Sequence, residues 1–409
     1  MANVVDFTQI ANLLEKDIVP AVELQIYARS ILWQQFGGWS ADENVAQRVN
    51  IPGISFKNNQ IFVTTQNGRP TTGAITTGNN FQYGTTPTNQ GSLSIATETG
   101  AFLIPKAVMN VKNEGAIVDT LQFNIQSTAN AMSMDMNRQC YGDGTATLAF
   151  VDGSGTSTTT VNLKPKNTAS TLYNNDIPLA VRYFTVGMLI KIGTNAATTV
   201  TGITGNNTIT VTDAQTFTAG NAIIKLDGSS VTALEMTGLG AMVGTGNSYM
   251  GINGATDATW NSFVDTHGGT ATTLNVPDID AAYFNANITG KANFILMNMT
   301  EFRKYGEGLT NNLRFLAQDT LYGGWKALEY MGGAAMVVLD YDCPDDKVFI
   351  LSTDKLFRAE FQSMQFEPGT LGLGDRLAQR LDYEVVADWM GNIGTFVRSS
   401  NAVLTNRVG

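Results

Sequence analysis

The feature that most constrains this chain is one long stripe of apolar residues at helical spacing. Ile117, Leu121, Ile125, Met132, Met136 and Cys140 recur at steps of four or seven, and Val118 and Ala129 widen the same face. The periodicity predicts an α-helix from about Gly115 to Tyr141, with Gly142 as a left-handed C-cap. Such a rod runs roughly 40 Å at about 1.5 Å per residue. Its opposite face carries Asn, Gln, Ser and Thr in place of Glu and Lys pairs, which suits contact with polar protein more than open solvent.

The rest of the chain shares that uncharged polarity. Charged residues are only 15% of the 409 and Gly reaches 41, so Thr, Asn, Ser and Gln carry the surface. Broad, close-fitting protein contacts follow from such a surface. A balance of 25 Lys+Arg against 35 Asp+Glu gives a net charge of -10 with no basic run, which excludes sequence-specific nucleic-acid binding. With 43% hydrophobic residues the chain can fill real cores, and its length allows two or three domains. Cys140 and Cys343 fit neither a C-x-x-C pattern nor a disulfide framework and are expected to be free thiols. The opening "MANVVDFTQIANLLEKD" lacks the basic start and apolar block of a signal peptide, and no apolar run approaches a membrane span, so folding in a cytoplasm is expected.

Read along the chain, residues 1–50 form an arm whose first 36 residues are two helical pieces, the first capped by Asp6 with Gln9 reaching back, the second begun by Pro20. Leu24, Tyr27 and Ile31 give the second piece an apolar stripe that needs a docking surface. Residues 51–101, from "ISFKNNQIFVTT" to "LSIATETGAFLIP", read as an extended two-stranded finger with a long polar tip. An isolated hairpin is marginal in water, and this one offers little beyond Phe81 and Tyr83 for burial, so it is expected to order itself on a neighbouring molecule.

From Thr147 to Thr232 short alternating segments separated by Gly-Asn and Asp-Gly turns predict a small all-β module, with Asn206 and Asn207 supplying positive φ in one hairpin. After residue 234 the pattern is α+β. "TDATWNSFVDT" and "VPDIDAAYFNAN" read as short helices, "TEFRKYG" as a helix opened by Thr300, and "KANFILMN", "AAMVVLD" and "KVFILST" as core strands. The ending "RLDYEVVADWMGNIGTFVRSSNAVLTN" predicts two long antiparallel strands that return to cover the rod.

Chemistry is hard to find. The single histidine, His267, sits in the turn "DTHGGT" with no Ser, Cys or carboxylate at triad spacing, and one His with two distant Cys leaves no zinc set. "GLGAMVGTG", Gly238 to Gly246, misplaces the third glycine of a dinucleotide loop, and "TGKA" at Gly290 and Lys291 lacks the glycine and hydroxyl of a P-loop. "DYDCPDD", Asp340 to Asp346, lacks the spacing of an EF-hand and reads as a turn between strands. Arg138 reads as a charge favourable at a helix C-terminus, or alternatively as one side of an ion pair between subunits. No catalytic, cofactor-binding or metal residue is expected, and the chain is not expected to be an enzyme.

The order of arm, finger, long helix ending in "NRQCYGDGT", mixed domain and returning strands resembles the major capsid proteins of tailed bacteriophages with the Hong Kong 97-like fold. "STANAMSMDMNRQCYGDGT" looks like the end of that family's spine helix, and "FNANITGKANFILMN", "EFRKYG" and "YGGWKALEYMGGAAMVVLDYDCP" look like its A domain. The resemblance implies an α+β chain with an N-terminal arm at 1–50, an E-loop at 51–101, a P domain at 102–146 and 356–409, an inserted small all-β domain at 147–233 and an A domain at 234–355. It further implies a virion shell of hexamers and pentamers around double-stranded DNA, assembled in a bacterial cytoplasm. Partners would be many copies of itself, a portal, and separate scaffolding or decoration proteins, with no membrane and no cofactor. Inter-subunit contacts are expected from Lys57, Arg69, Phe81, Tyr83 and Arg138. Some relatives crosslink an E-loop lysine to a neighbour's asparagine, but Lys57 has no identifiable acid-base partner, so no crosslink is expected; nor, with a helix so near Met1, is removal of an N-terminal segment. The alternatives are an encapsulin-type compartment shell and a phage tail or surface protein.

Overall fold

A computed structural model describes residues 31–36, 54–57, 60–66, 88–105, 114–165, 181–227, 231–310, 318–320, 326–330, 334–366 and 382–408. The rod is a 27-residue helix, Glu114–Cys140, and Ala129, Met132, Met136 and Cys140 of the expected stripe are buried. Its last turn tightens through Tyr141 N–H to the Arg138 carbonyl (3.1 Å) and Gly142 N–H to the Gln139 carbonyl (2.9 Å). Gly142 is therefore not the left-handed cap; the positive φ falls at Gly144, at 80°. Gly142 is small for a different reason, because a Cβ there would stand 3.0 Å from the Gln139 carbonyl oxygen.

The apolar side of the rod is covered by a three-stranded antiparallel sheet of Leu356–Phe366, Asp382–Thr395 and Ala96–Pro105, with the middle strand being Asp382–Thr395. Contact is close enough that a Cβ on Gly100 would lie 2.5 Å from Met132 Sδ. The short helix Ile31–Gln35 adds Trp33, set edge-on to Trp389 at 5.4 Å between ring centroids, and both indoles are buried in one core with the rod. The two antiparallel strands expected in the C-terminal run are one strand and a crossing. After Thr395 the chain turns at Arg398–Ser400 and enters a different sheet as Ala402–Leu404.

The finger also differs from expectation. Ile54–Lys57, Gln60–Gln66 and Thr88–Ser94 make a three-stranded antiparallel sheet, and its base is held by its own chain. Ile61, Val63 and Leu93 are buried in the rod's core, Ser92 N–H donates to the Met250 carbonyl (3.0 Å), and Gln66 N–H donates to that of Phe396 (2.9 Å). The tip, with Arg69, Phe81 and Tyr83, lies outside the described residues.

Six strands, Thr147–Val151, Gly155–Pro165, Leu189–Ile192, Ala197–Thr204, Thr208–Phe217 and Ala222–Lys225, form a closed antiparallel barrel, because the last pairs with both the first and the third. Its interior of Leu148, Val161, Ile190, Val200, Ile209 and Ile223 is a hydrophobic core separate from the rod's. In the hairpin between Thr204 and Thr208 the positive φ belongs to Gly205 (64°) and not to Asn206 or Asn207, since glycine meets no Cβ clash there.

A seven-stranded mixed sheet completes the molecule, in the order Phe263–Asp265, Ala402–Leu404, Val348–Leu351, Phe294–Met297, Ala335–Leu339, Lys326–Tyr330, Gln318–Thr320. Strands such as "FILM" are apolar throughout because both faces are covered. Ile295 and Met297 meet helices Val276–Ala286 and Met299–Thr310, while Phe294 and Leu296 face the rod's core. "TDATWNSFVDT" is no helix but a single 3-10 turn, Ala258–Trp260, that seats the buried Trp260 and leads into the edge strand. Asn298, and not Thr300, caps the following helix, its Oδ1 accepting from Thr300 N–H at 2.7 Å.

Candidate functional site: a buried joint at the end of the rod

The last turn and a half of the rod is buried on every side, since Met136 through Cys140 are all less than a tenth exposed. An amphipathic helix does this only where separate elements converge on it. Here four do so: the strand Ala96–Pro105, the barrel, the segment of Glu235 to Gly238 that leaves it, and the loop after strand Ala335–Leu339. Polar residues that would otherwise face water are thus committed to defined partners, because a buried polar group without one is costly.

Toward the barrel and the finger strand, Arg138 Nε donates to Asp135 Oδ1 (2.7 Å) and Nη1 to Glu235 Oε2 (3.1 Å), and Nη2 also pairs with Glu235. Lys225, on the last barrel strand, reaches Asp135 Oδ2 at 2.5 Å and lies 3.9 Å from Glu98. Gln139 donates from Nε2 to Glu98 Oε2 (2.6 Å) and accepts from Met236 N–H (3.1 Å). On the other side, Asn137 donates to Asp340 Oδ1 (3.2 Å) and Asp342 Oδ2 (2.5 Å). Asp342 Oδ1 in turn accepts from Arg182 Nη2 (2.6 Å) and the Tyr183 hydroxyl (2.5 Å), both from the 3-10 turn Val181–Tyr183 ahead of the barrel strand Leu189–Ile192. The guanidinium of Arg138 lies 5.8 Å from the Tyr183 ring centroid, so the two halves meet. The result is a mechanical joint that fixes the barrel and the finger strand to the rod.

Electrostatics divides the carboxylates. Burial works to raise Asp135, but Arg138 and Lys225 outweigh it and hold the group well below the usual carboxylate range. Burial, with Asp135 close by, pushes Glu98 well above that range, against the pull of Lys225. Asp340 is pushed up to about 6 by burial and by Asp342. Burial likewise raises the hydroxyl of Tyr183 and the thiols of Cys140 and Cys343, which are free and buried.

Of the residues expected to contact other subunits, Arg138 is bonded inside its own chain and only 5% exposed, whereas Lys57 is exposed at the end of strand Ile54–Lys57. "GLGAMVGTG" is a packing seam. A Cβ on Gly238 would stand 2.3 Å from the Cys140 carbonyl oxygen, and Gly240 N–H donates to the Gly142 carbonyl (3.0 Å). His267 is exposed with φ 47°, and its ring nitrogens lie near Asp265 and Asp278, with ligand atoms within 4.8 Å of one another. Both carboxylates are already taken by Arg407, at 2.6 and 2.7 Å. The fully buried Arg398 was not foreseen: it donates to the carbonyls of Met242 (2.8 Å), Ala241 (3.1 Å) and Asn247 (3.2 Å). A lone cation in the apolar run "TFVRSSNAV" was the available signal, because burying it requires acceptors.

The architecture is the fold of a solved phage capsid chain, the Hong Kong 97-like fold that the order of elements resembled. It aligns with a chain of the cyanophage A-1(L) capsid asymmetric unit at a TM-score of 0.50 and 14% identity, over 87% of this chain and 89% of that one. Lesser likenesses are to the capsid of an empty GTA particle (TM-score 0.43, 9% identity, 91% and 92% covered) and to the SrpI encapsulin complex from Synechococcus elongatus PCC 7942 (TM-score 0.41, 9% identity, 83% and 82% covered). No protein-family model and no curated protein matches the sequence.

Proposed function

We propose that this chain is a major capsid protein, a structural subunit that assembles as hexamers and pentamers into an icosahedral shell around packaged double-stranded DNA. The observation that carries the reading is the fold likeness to the cyanophage capsid chain, which extends over most of both chains instead of one shared module. In this reading residues 1–50 are an N-terminal arm, 51–101 an E-loop, 102–146 with 356–409 a P domain whose spine is the rod, 147–233 an inserted domain and 234–355 an A domain. The rod is a stiff girder. The arm and the finger tip are straps across neighbouring subunits, with Lys57, Arg69, Phe81 and Tyr83 among their contacts.

A strap interface on the order of 1,000 Å² falls within the range of stable contacts, and repetition around a closed shell multiplies a modest affinity. A chain of net charge -10 suits DNA that is enclosed and not gripped. A portal and separate scaffolding or decoration proteins complete the assembly, in a virion put together in the host bacterial cytoplasm. The test is to compare the full chain with one lacking residues 67–87, which spares the buried base of the finger. The full chain should sediment as large particles and the shortened one as soluble monomers or capsomers. Equal particle yields from both would contradict the strap role.

A further inference from the structure

The joint holds more carboxylates than cations. On its finger-strand side Glu98, Asp135 and Glu235 face Lys225 and Arg138, three acids against two bases, with side-chain exposures of 9%, 20%, 3%, 25% and 5% respectively. The groups around Glu98 come from every element packed on it: Asp135 and Gln139 from the rod, with Arg138 behind them; Lys225 from the barrel; and Glu235, through Arg138, from the segment leaving the barrel. The residue opposite on strand Asp382–Thr395 is Trp389, which carries no charge. A surplus anion in a site this closed is strongly disfavoured, and neutralising one acid with a proton removes it. Asp135 and Glu235 are each clamped by a cation at hydrogen-bond distance, whereas the nearest cation to Glu98 is 3.9 Å away. The proton therefore belongs on Glu98.

Glu98 also sits where a loss of order would matter. It is four residues beyond Ser94, the end of the finger's last strand, and touches a rod residue that itself holds the backbone of Met236 as the chain leaves the barrel. We infer that Glu98 is a proton-operated latch: neutral, it locks the finger strand and the barrel to the rod, and its ionisation loosens both attachments. The direction follows from its raised folded-state value. A carboxyl that prefers its neutral form in the fold contributes stability at low pH, and that contribution is lost as pH rises from the ordinary carboxylate range through the raised value.

The test is amide hydrogen exchange of the full chain at about pH 6 and about pH 9, corrected for intrinsic rate. In the native sequence the segments 142–146 and 231–237 should exchange on the order of tenfold faster at the higher pH, the effect of about one pKa unit of coupling. In Glu98→Gln that acceleration should vanish. Infrared difference spectra over the same pH step give a second readout, loss of a protonated-carboxyl band in the native chain that E98Q does not show; Glu301, raised to about 7, loses its own band in both. Should E98Q fail to fold, Lys225→Met serves, because removing the cation moves the transition to higher pH. Equal acceleration in E98Q, an unmoved transition in K225M, or no protonated band from Glu98 at the lower pH would each overturn the latch.

Discussion

The barrel and the body around the rod bury their apolar residues in different ways. The barrel packs Val161, Ile190, Ile209 and Ile223 against one another, all from strands between residues 147 and 225. The body packs Trp33, Ile61, Met132, Met242 and Trp389 into one core, drawn from segments between residues 33 and 389. A core drawn from one continuous stretch of chain closes over shorter loops than a distributed core, which exists only once distant segments have met. The barrel should thus behave as its own cooperative unit, and the rod, finger base and C-terminal sheet as another.

The sharpest way to break this contrast is Trp389→Ala. The indole is fully buried where rod, arm helix and sheet meet, so its removal should cost about 4 kcal/mol and lower the urea midpoint of the whole body. Ile209→Ala should cost about 3 kcal/mol, but within the barrel. The five tryptophans, at positions 33, 39, 260, 325 and 389, all lie outside residues 147–225. Tryptophan fluorescence should therefore miss the barrel's transition while barrel amide exchange reports it; a coincident shift in both probes would mean one cooperative unit.

A third difference concerns pH. Glu301, in the body, is fully buried and raised from 4.5 to about 7 chiefly by that burial, with Arg407 opposing. Its neutral form is favoured in the fold, so it contributes stability below the ordinary carboxyl value that is lost as pH climbs through about 7. Glu301→Gln should remove this loss, raising stability of the body by about 2 kcal/mol at about pH 8 and leaving barrel protection unchanged. Smallest of all, Gly144→Ala at the linker into the barrel should cost about 1 kcal/mol through its φ of 80°, read as a small drop in melting temperature.

The same contrast explains what could be read from the sequence. The rod was legible because Met132, Met136 and Cys140 repeat at a period set by the helix itself. Barrel hairpins were legible too, from turns such as "GITGNNTITV", but closure was not, since it depends on Ala222–Lys225 pairing with strands at 147 and 189. The third finger strand, Ile54–Lys57, was not legible because "ISFKNNQIFVTT" passes for one run, whereas Ile54–Lys57 pairs back on Gln60–Val63. The joint left no local trace. Asn137, Arg138 and Gln139 look like ordinary polar residues at a helix end, and their partners stand 203, 97 and 41 positions away.

In the proposed role this chain completes itself only in a shell of sister copies. Electron microscopy of the purified protein at high concentration tests this most directly. Closed, spherical shells of uniform diameter are the expected result, and a population of compact, separate molecules at every concentration would contradict it.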